Sequence, residues 1–183
     1  MGKNENFNLP TGGQDYGKTC CVTGHRDILD EQIDNVKYAL RREIIKAVSD
    51  GYTGFMTGFA DGVDQYFAEI VVKLQADFPD LRLIAVLPYR KRVESLETRE
   101  QTKALLRACA DVVVIQEDYT PNVYTKRNRY MVEHSDRVIA MYDGREKGGT
   151  VNTIRLTHRL KKELREIPVG EIILPRQPLE TKK

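Results

Sequence analysis

The sequence predicts an α/β fold: a single doubly wound domain with a mostly parallel sheet of about six strands and helices on both faces. Short apolar runs rich in Val and Ile alternate without a break with longer segments of helical periodicity. No internal repeat or low-complexity tract interrupts this alternation. The length of 183 residues is enough for one domain with a sizeable core.

The strands are predicted from short runs of β-branched and apolar residues that stop at glycine, proline or polar residues. The first run is typical of a strand that is buried on both faces. The six predicted strands are Thr19–Thr23, Tyr52–Thr57, Leu81–Leu87, Asp111–Ile115, Arg137–Tyr142 and Glu171–Leu174.

The helices are predicted from apolar residues that recur with a period of 3.6. Asp27 or Asp30 can cap the first helix, and Gly51 ends it in the usual C-terminal manner. The predicted helices are this first one, a second that carries Val63, Phe67, Ile70, Val71 and Leu74 on one face, and then Val93–Cys109, Asn122–His134 and Thr150–Arg165.

The expected strand order, numbered along the chain, is 3-2-1-4-5-6, the default for this architecture. The sheet would then reverse direction between the first and fourth strands. The loops after strands one, two, four and five would line one crevice at the carboxyl ends of the strands. The domain is expected to span residues 18–174, between a flexible N-terminal tail at 1–17 and a polar C-terminal tail at 175–183.

The composition limits the classes of function. Lys and Arg number 29 and Asp and Glu number 27, which gives a formal charge of +2. This balance does not predict nucleic-acid binding, although a local basic patch is compatible with it. No apolar run reaches the length of a membrane span and the N-terminus lacks a hydrophobic signal segment, so a cytoplasmic protein is expected. The three cysteines have no C-x-x-C spacing, so neither a disulfide nor a metal site is predicted.

The first predicted strand leads directly into the best candidate loop, Thr23-Gly24-His25-Arg26. Gly24 allows a sharp turn and a close approach of the backbone, and a titratable and a cationic side chain follow at once. A buried strand that stops in this way often begins a ligand site in an open α/β sheet. An ordinary turn with a solvated His-Arg pair fits these four residues about equally well.

Two glycine-rich loops differ in their charge. The segment Gly58–Asp64 places Asp61 and Asp64 in the first turn of a helix, where they would repel a phosphate. They are interpreted as a helix cap and as acceptors for ligand hydroxyls, such as a ribose diol. The segment Gly148–Thr150 has no acid in its first turn and follows Arg145 and Lys147, so it is the better phosphate seat. By itself, this short motif also fits a plain helix start.

Two further segments are candidates. Arg127 and Asn128 stand near the start of a helix and could reach a ligand in the crevice, although a solvated basic helix face is the alternative. The segment Pro88–Arg92 follows the third strand and contributes Tyr89 and positive charge. It could cover a base or form an ordinary loop.

The ordered series of motifs resembles the SLOG superfamily, a Rossmann-like group that contains DprA/Smf and the LOG phosphoribohydrolases, and within it the YpsA-like bacterial branch. The resemblance covers nearly all of Thr19–Leu164. Each motif is weak alone, but their order is fairly specific. The motifs are Thr23–Arg26, Gly58-x-Ala60-Asp61-Gly62-x-Asp64, Leu87-Pro88-Tyr89, Arg127-Asn128-x-x-Met131-Val132, Ser135-Asp136, Tyr142-Asp143-Gly144 and Gly148-Gly149-Thr150.

The resemblance implies binding or sensing of a nucleotide-derived ligand, of the ADP-ribose or NAD kind, with no other cofactor required. Members of the superfamily are often dimers, so a homodimer is one expected state. The expected ligand-binding residues are Thr23, Gly24, His25, Arg26, Gly58, Ala60, Asp61, Gly62, Asp64, Pro88, Tyr89, Arg127, Asn128, Asp143, Gly144, Gly148, Gly149 and Thr150.

One departure from the family pattern argues against LOG-type hydrolysis. The LOG enzymes carry P-G-G-x-G-T-x-x-E, and alignment on Gly149-Thr150 puts Thr153 at the position of the glutamate. An N-glycosidase or phosphoribohydrolase that uses His25 or Asp61 as its acid or base is the alternative function. A third hypothesis is DprA-like DNA binding on a basic face built from Arg90–Arg92, Arg127, Arg129 and Arg159–Lys162, which the near-neutral charge disfavours.

Overall fold

The computed structural model describes residues 15–170, in which six strands form one wholly parallel sheet. The α/β class and the parallel sheet are therefore confirmed. The strands are β1 (Lys18–Thr23), β2 (Tyr52–Thr57), β3 (Arg82–Tyr89), β4 (Asp111–Gln116), β5 (Arg137–Tyr142) and β6 (Glu163–Pro168).

Six helices connect the strands in this described part of the chain. Their bounds are α1 (Asp30–Ser49), α2 (Val63–Leu74), α3 (Arg90–Glu97), α4 (Glu100–Arg107), α5 (Val123–Glu133) and α6 (Gly149–Arg159). Within residues 15–170, no helix has both the length and the apolar character needed to cross a membrane.

The core lies on both faces of the sheet, because successive strand residues point to opposite sides. Cys20 belongs to the apolar cluster under α1 and α2, which also includes Leu40 and Phe67. The next residue, Cys21, belongs to the cluster on the other face, where Met131 of α5 packs. Helices on both faces are thus confirmed.

The strand order is β4-β3-β2-β1-β5-β6, so the predicted order 3-2-1-4-5-6 is wrong. β4 lies outside β3 and pairs with it from Ile84–Asp111 to Tyr89–Gln116. The chain therefore winds in one direction through four strands before it reverses. The reversal falls between β1 and β5, and α5 is the connection that returns from the edge to the centre. This crossover brings α5 to the carboxyl ends of β1 and β2.

The single helix predicted at Val93–Cys109 is in fact two helices, α3 and α4. The break falls at Arg99, whose backbone is extended, with φ −110° and ψ 123°. The Thr102 hydroxyl donates to the carbonyl oxygens of Leu96 and Arg99 and so stabilises the junction. No glycine or proline marks this break in the sequence.

The helix predicted at Thr150–Arg165 ends early, at Arg159. Lys161 has φ 54°, a left-handed conformation that ends α6 and turns the chain into β6. β6 then pairs with β5 along its whole length, beginning at Arg137–Glu163. The other predicted strand, Glu171–Leu174, lies outside the described residues.

Candidate functional site

A cavity of about 390 Å³ opens at the carboxyl ends of the strands, where the strand order reverses. This is the place where open α/β sheets bind ligands. Four segments far apart in sequence form its walls: the β1–α1 loop, the start of α2, the first turns of α5 and the β5–α6 loop. The lining residues are Val22, Thr23, Gly24, His25, Arg26, Asp27, Ala60, Asp64, Tyr124, Arg127, Asn128, Met131, Arg145, Lys147, Gly148, Gly149 and Thr150.

The β1–α1 loop is held against the start of α2 by a contact that only glycine permits. A Cβ atom on Gly24 would lie 2.5 Å from Cγ1 of Val63. The backbone N–H of Val63 also donates to the carbonyl oxygen of His25, at 3.3 Å. The loop is therefore fixed, and it directs His25 and Arg26 to the cavity.

A buried histidine stands between this loop and the β5–α6 loop. Nε2 of His25 lies 3.0 Å from Oδ1 of Asp143 and 3.3 Å from the backbone nitrogen of the same residue. Burial lowers the pKa of His25, and the nearby Asp143 carboxylate opposes that shift only in part. The neutral imidazole is thus the favoured form near pH 7.

Arg145 ties the same two loops together at the cavity. Its Nη2 lies 2.6 Å from Oδ2 of Asp143 and 3.3 Å from Oδ2 of Asp27. Hydrogen bonds from this guanidinium lower the pKa of both carboxyls. Both acids therefore stay ionised, and much of the charge of Arg145 is already engaged.

Arg127 on α5 is the most buried cation of the site. Its Nη1 donates to the carbonyl oxygen of Gly58 at 2.6 Å and lies 3.8 Å from Oδ2 of Asp64. Its Nε is buried and has no hydrogen-bond partner among the described residues. Burial raises the pKa of the Asp64 carboxyl, and the Arg127 guanidinium opposes that rise. A Cβ on Gly58 would lie 1.5 Å from Nη1 of Arg127, so glycine is required there.

The N-terminus of α6 forms the opposite wall. Gly148 caps the helix with φ 127°, a conformation that favours glycine, and no acid lies in the first turn. The first backbone N–H groups of a helix have no intrahelical acceptor and carry the positive end of its dipole. Asn128 of α5 faces this turn, with Nδ2 3.7 Å from the position of a Cβ on Gly149.

Comparison with known proteins identifies the family. The family model YpsA, described as the YspA SLOG family, matches residues 20–170. This chain belongs to that family. The SLOG resemblance seen in the motifs is therefore confirmed.

Curated relatives carry the name UPF0398 protein. One from Ligilactobacillus salivarius is 27% identical over 140 residues, which is 70% of this chain and 76% of the relative. One from Bacillus cereus is 28% identical over 136 residues, which is 72% of this chain and 73% of the relative.

Two solved structures share the fold of this YspA SLOG protein. DNA processing protein A from Helicobacter pylori, described in a study of its single-stranded DNA binding mode, superposes with a TM-score of 0.57 at 20% identity, over 89% of this chain and 67% of that chain. The X-ray structure of TM1055, a structural-genomics target, gives a TM-score of 0.51 at 17% identity, over 81% and 72%.

Most of the predicted site residues of this SLOG chain come together in the cavity. They are Thr23, Gly24, His25, Arg26, Ala60, Asp64, Arg127, Asn128, Gly148, Gly149 and Thr150. The others do not line it: Gly58, Asp61, Gly62, Pro88, Tyr89, Asp143 and Gly144. Of these, Gly58 and Asp143 contact cavity residues, Arg127 and His25 respectively.

Asp61 is the predicted site residue whose contacts lie most clearly outside the cavity. It is exposed, and its Oδ1 accepts hydrogen bonds from Arg99 at 3.2 Å and from Gln65 at 2.7 Å. Asp64 lines the cavity, but its carboxylate also accepts the backbone N–H of Ala60 at 3.2 Å. Of the two acids, only Asp64 therefore lines the cavity.

Thr153 supplies no acid at the position of the LOG glutamate. Its hydroxyl donates to the carbonyl oxygen of Gly149 at 2.9 Å, inside α6.

Among residues 15–170, no group of three or more His, Cys, Asp or Glu side chains is arranged to hold a metal ion.

Tyr124 is a cavity residue that was not among the predicted site residues. Its ring centroid lies 5.7 Å from Cζ of Arg26 and 6.0 Å from Cζ of Arg127, within the range of a cation–π contact. Its spacing of three residues from Arg127 on a helix was the available signal, because such residues share one face.

Proposed function

We propose that this protein binds a nucleotide-derived ligand, of the ADP-ribose, NAD or nucleotide kind, with a phosphate at the N-terminus of α6. The observation that carries the proposal is the meeting of Gly148–Thr150 with Arg26, Arg127 and Lys147 around one cavity. Its volume of about 390 Å³ is in the range of small-molecule sites.

The phosphate is assigned to α6 rather than to α2 on grounds of charge. The first turn of α2 contains Asp64, whereas the first turn of α6 contains no acid. Backbone N–H groups and the helix dipole at α6 favour an anion there. Lys147 stands directly before the turn and adds positive charge.

The remaining polar groups suit a sugar next to that phosphate. Asn128 faces the first turn of α6 and can both donate and accept hydrogen bonds. The Asp64 carboxylate lines the same cavity and can accept from a ribose hydroxyl. Arg26 is exposed at the rim, where it adds positive charge that favours an anionic ligand.

Calorimetric titration with ADP-ribose and NAD tests the proposal. Saturable binding is expected for the wild type, and its loss for Gly149→Asp. An aspartate in the first turn is favourable for the helix itself, so this loss would report charge rather than unfolding. Gly149→Ala is the matched control, because its Cβ meets only Asn128, at 3.7 Å.

A second arm of the experiment tests the arginine at the rim. Arg26→Ala is expected to weaken binding, whereas Arg159→Ala, at the exposed far end of α6, is expected to leave it unchanged. Wild-type affinity in both Gly149→Asp and Arg26→Ala would reject this site.

The alternative function, cleavage of an N-glycosidic bond, is favoured by one observation. His25 is a buried titratable group on the cavity wall, and its ring contacts the Asp143 carboxylate at 3.0 Å. Such a pair can act as a general acid or base. Release of free base from nucleoside monophosphates, lost in His25→Gln and retained in Asp61→Asn, would support this function. No turnover on a broad nucleotide panel would oppose it.

The DNA-binding hypothesis has less support than the nucleotide site, because residues of the predicted basic face are engaged within the protein. Arg127 is buried beside Asp64, and Arg129 pairs with Glu133 at 2.7 Å. Binding of single-stranded DNA that weakens steeply with salt would favour this hypothesis over the nucleotide site.

A further inference from the structure

Three tyrosines lead outward from the cavity, and the proposed phosphate and sugar contacts do not use them. Tyr124 lines the cavity. Its ring centroid lies 6.5 Å from that of Tyr89, which in turn lies 5.6 Å from that of Tyr119. Both ring pairs are nearly perpendicular, at 85° and 83°. These three residues, from three different segments, are called the tyrosine row below.

The three rings of the tyrosine row are only partly buried by the protein. Tyr119 is 59% exposed and is one of three exposed large hydrophobic residues in the described part of the chain, with Leu29 and Phe78. Tyr124 and Tyr89 are half-buried. Exposed aromatic surface that continues from a cavity is characteristic of interaction sites. Perpendicular packing uses ring edges as well as faces, so it leaves ring surface free for another planar group.

The distance from the proposed phosphate seat to the row fits a nucleoside phosphate. Asn128 faces the first turn of α6, and Tyr124 lies four residues before it on α5. One helical turn is about 5.4 Å. A single sugar ring between a phosphate and a base spans a separation of this order.

The charges beside the row also suit a nucleobase. Cζ of Arg26 lies 5.7 Å from the ring centroid of Tyr124, so a cation stands next to the innermost ring. Arg92 is half-buried, and its charge opposes the rise in the pKa of Tyr89, so a second cation lies close to the row. Bases stack on aromatic rings and on guanidinium planes alike.

We propose that the tyrosine row binds the base of the ligand, so that the site selects base-bearing nucleotides over sugar phosphates. This inference rests on the proposed function, because it requires the phosphate at α6. It adds the part of the ligand that the row would recognise.

Titration with AMP and with ribose 5-phosphate tests the row, because the two molecules differ chiefly in the base. AMP is expected to bind more tightly than ribose 5-phosphate to the wild type. Tyr124→Leu is expected to weaken AMP binding by about fivefold to a hundredfold and to leave ribose 5-phosphate nearly unchanged. Tyr124→Phe keeps the ring and is expected to retain the affinity for AMP.

Two further variants control for folding. Tyr119→Leu changes a mostly exposed residue and is expected to weaken AMP binding without affecting stability. Tyr38→Leu is the matched control for Tyr124→Leu. Like Tyr124, Tyr38 is half-buried and lies near an arginine, with Cζ of Arg42 5.9 Å from its ring centroid. It lies on α1, however, and does not line the cavity. This variant is expected to bind AMP as the wild type does.

The outcomes separate the two proposals. If AMP binding is lost in Gly149→Asp but unchanged in both Tyr124→Leu and Tyr119→Leu, the row is rejected and the phosphate site stands. An equal loss of AMP and ribose 5-phosphate in Tyr124→Leu would mean that Tyr124 acts through the arginines, which also rejects the row. If the wild type binds ADP-ribose or NAD but binds neither AMP nor ribose 5-phosphate, the row is rejected and the proposed function stands. If it binds none of the four molecules, both proposals are rejected.

Discussion

Arg127 donates a hydrogen bond of 2.6 Å to the carbonyl oxygen of Gly58, a residue 69 positions away in the sequence. This bond joins α5 to the end of β2 and places a guanidinium in the wall of the cavity. It exists because Gly58 has no side chain, since a Cβ atom would occupy the place of Nη1.

Gly58→Ala is therefore expected to displace Arg127. The unfolding free energy should fall by about 1–3 kcal/mol, the usual cost of an overpacked interior, and ligand binding should weaken with it. Urea denaturation and titration with ADP-ribose measure the two effects. Gly149→Ala is the matched control and should cost almost nothing, and equal stability of the two variants would contradict the prediction.

The buried pair of Arg127 and Asp64 is expected to be strongly coupled. Arg127→Met should lower the unfolding free energy by about 3–5 kcal/mol, because it leaves a buried carboxylate without its cation. The double variant with Asp64→Leu should cost much less than the sum of the two single variants. Simple additivity in a double-mutant cycle would show that the two side chains do not interact.

The same pair predicts a dependence on pH. Burial already raises the pKa of Asp64 in the folded protein above the unfolded value of about 3.9, and without Arg127 the largest influence that opposes this rise is lost. Stability from this group is then lost as pH rises through the folded pKa. Arg127→Met should thus be less damaging at pH 5 than at pH 8, as measured by urea denaturation.

His25 predicts the opposite dependence for the wild type. Burial holds its pKa below the unfolded value of about 6.5, so the unfolded chain binds more protons between these two values. The unfolding free energy should therefore fall as pH is lowered from 7.5 to 5. His25→Gln should flatten this slope, while His158→Gln, an exposed histidine of α6, should not.

Removal of the Asp27 charge from the cavity rim is expected to strengthen ligand binding. Asp27→Asn removes a negative charge from the cavity and frees Arg145 from one of its two partners. Binding of ADP-ribose should strengthen by about twofold to fivefold at low salt, and by less at high salt. Asp61→Asn is the control and should leave the affinity unchanged, because Asp61 pairs with Arg99 outside the cavity. An equal gain in both variants would point to overall charge instead.

The strand and helix types could be predicted from the sequence because periodicity is a local property. The strand order could not, since the pairing of β4 with β3 depends on where a whole crossover packs. The loop after β1 lies at the reversal in either order, but its partner there is the loop after β5 and not the loop after the fourth strand. Asp61 shows the limit of the same reasoning, because residue type and spacing did not reveal its pairing with Arg99.

The end of α6 shows a second limit. Lys161 adopts φ 54° without any glycine or proline to signal it, so the sequence favoured a longer helix. Tyr124 was overlooked for a different reason, because an aromatic residue on a helix more often packs in a core than contacts a ligand. Its position beside Arg26 and Arg127 in the structure is what favours a ligand contact over core packing for Tyr124.

The crossover through α5, which connects the edge strand β4 to the central strand β5, also affects how the protein folds. Its cavity wall depends on contacts between residues far apart in sequence, and such contacts form slowly during folding. A chain that has assembled only its first three strands has no enclosed pocket. A ligand would therefore recognise the finished molecule alone, and it should raise the melting temperature progressively with its own concentration.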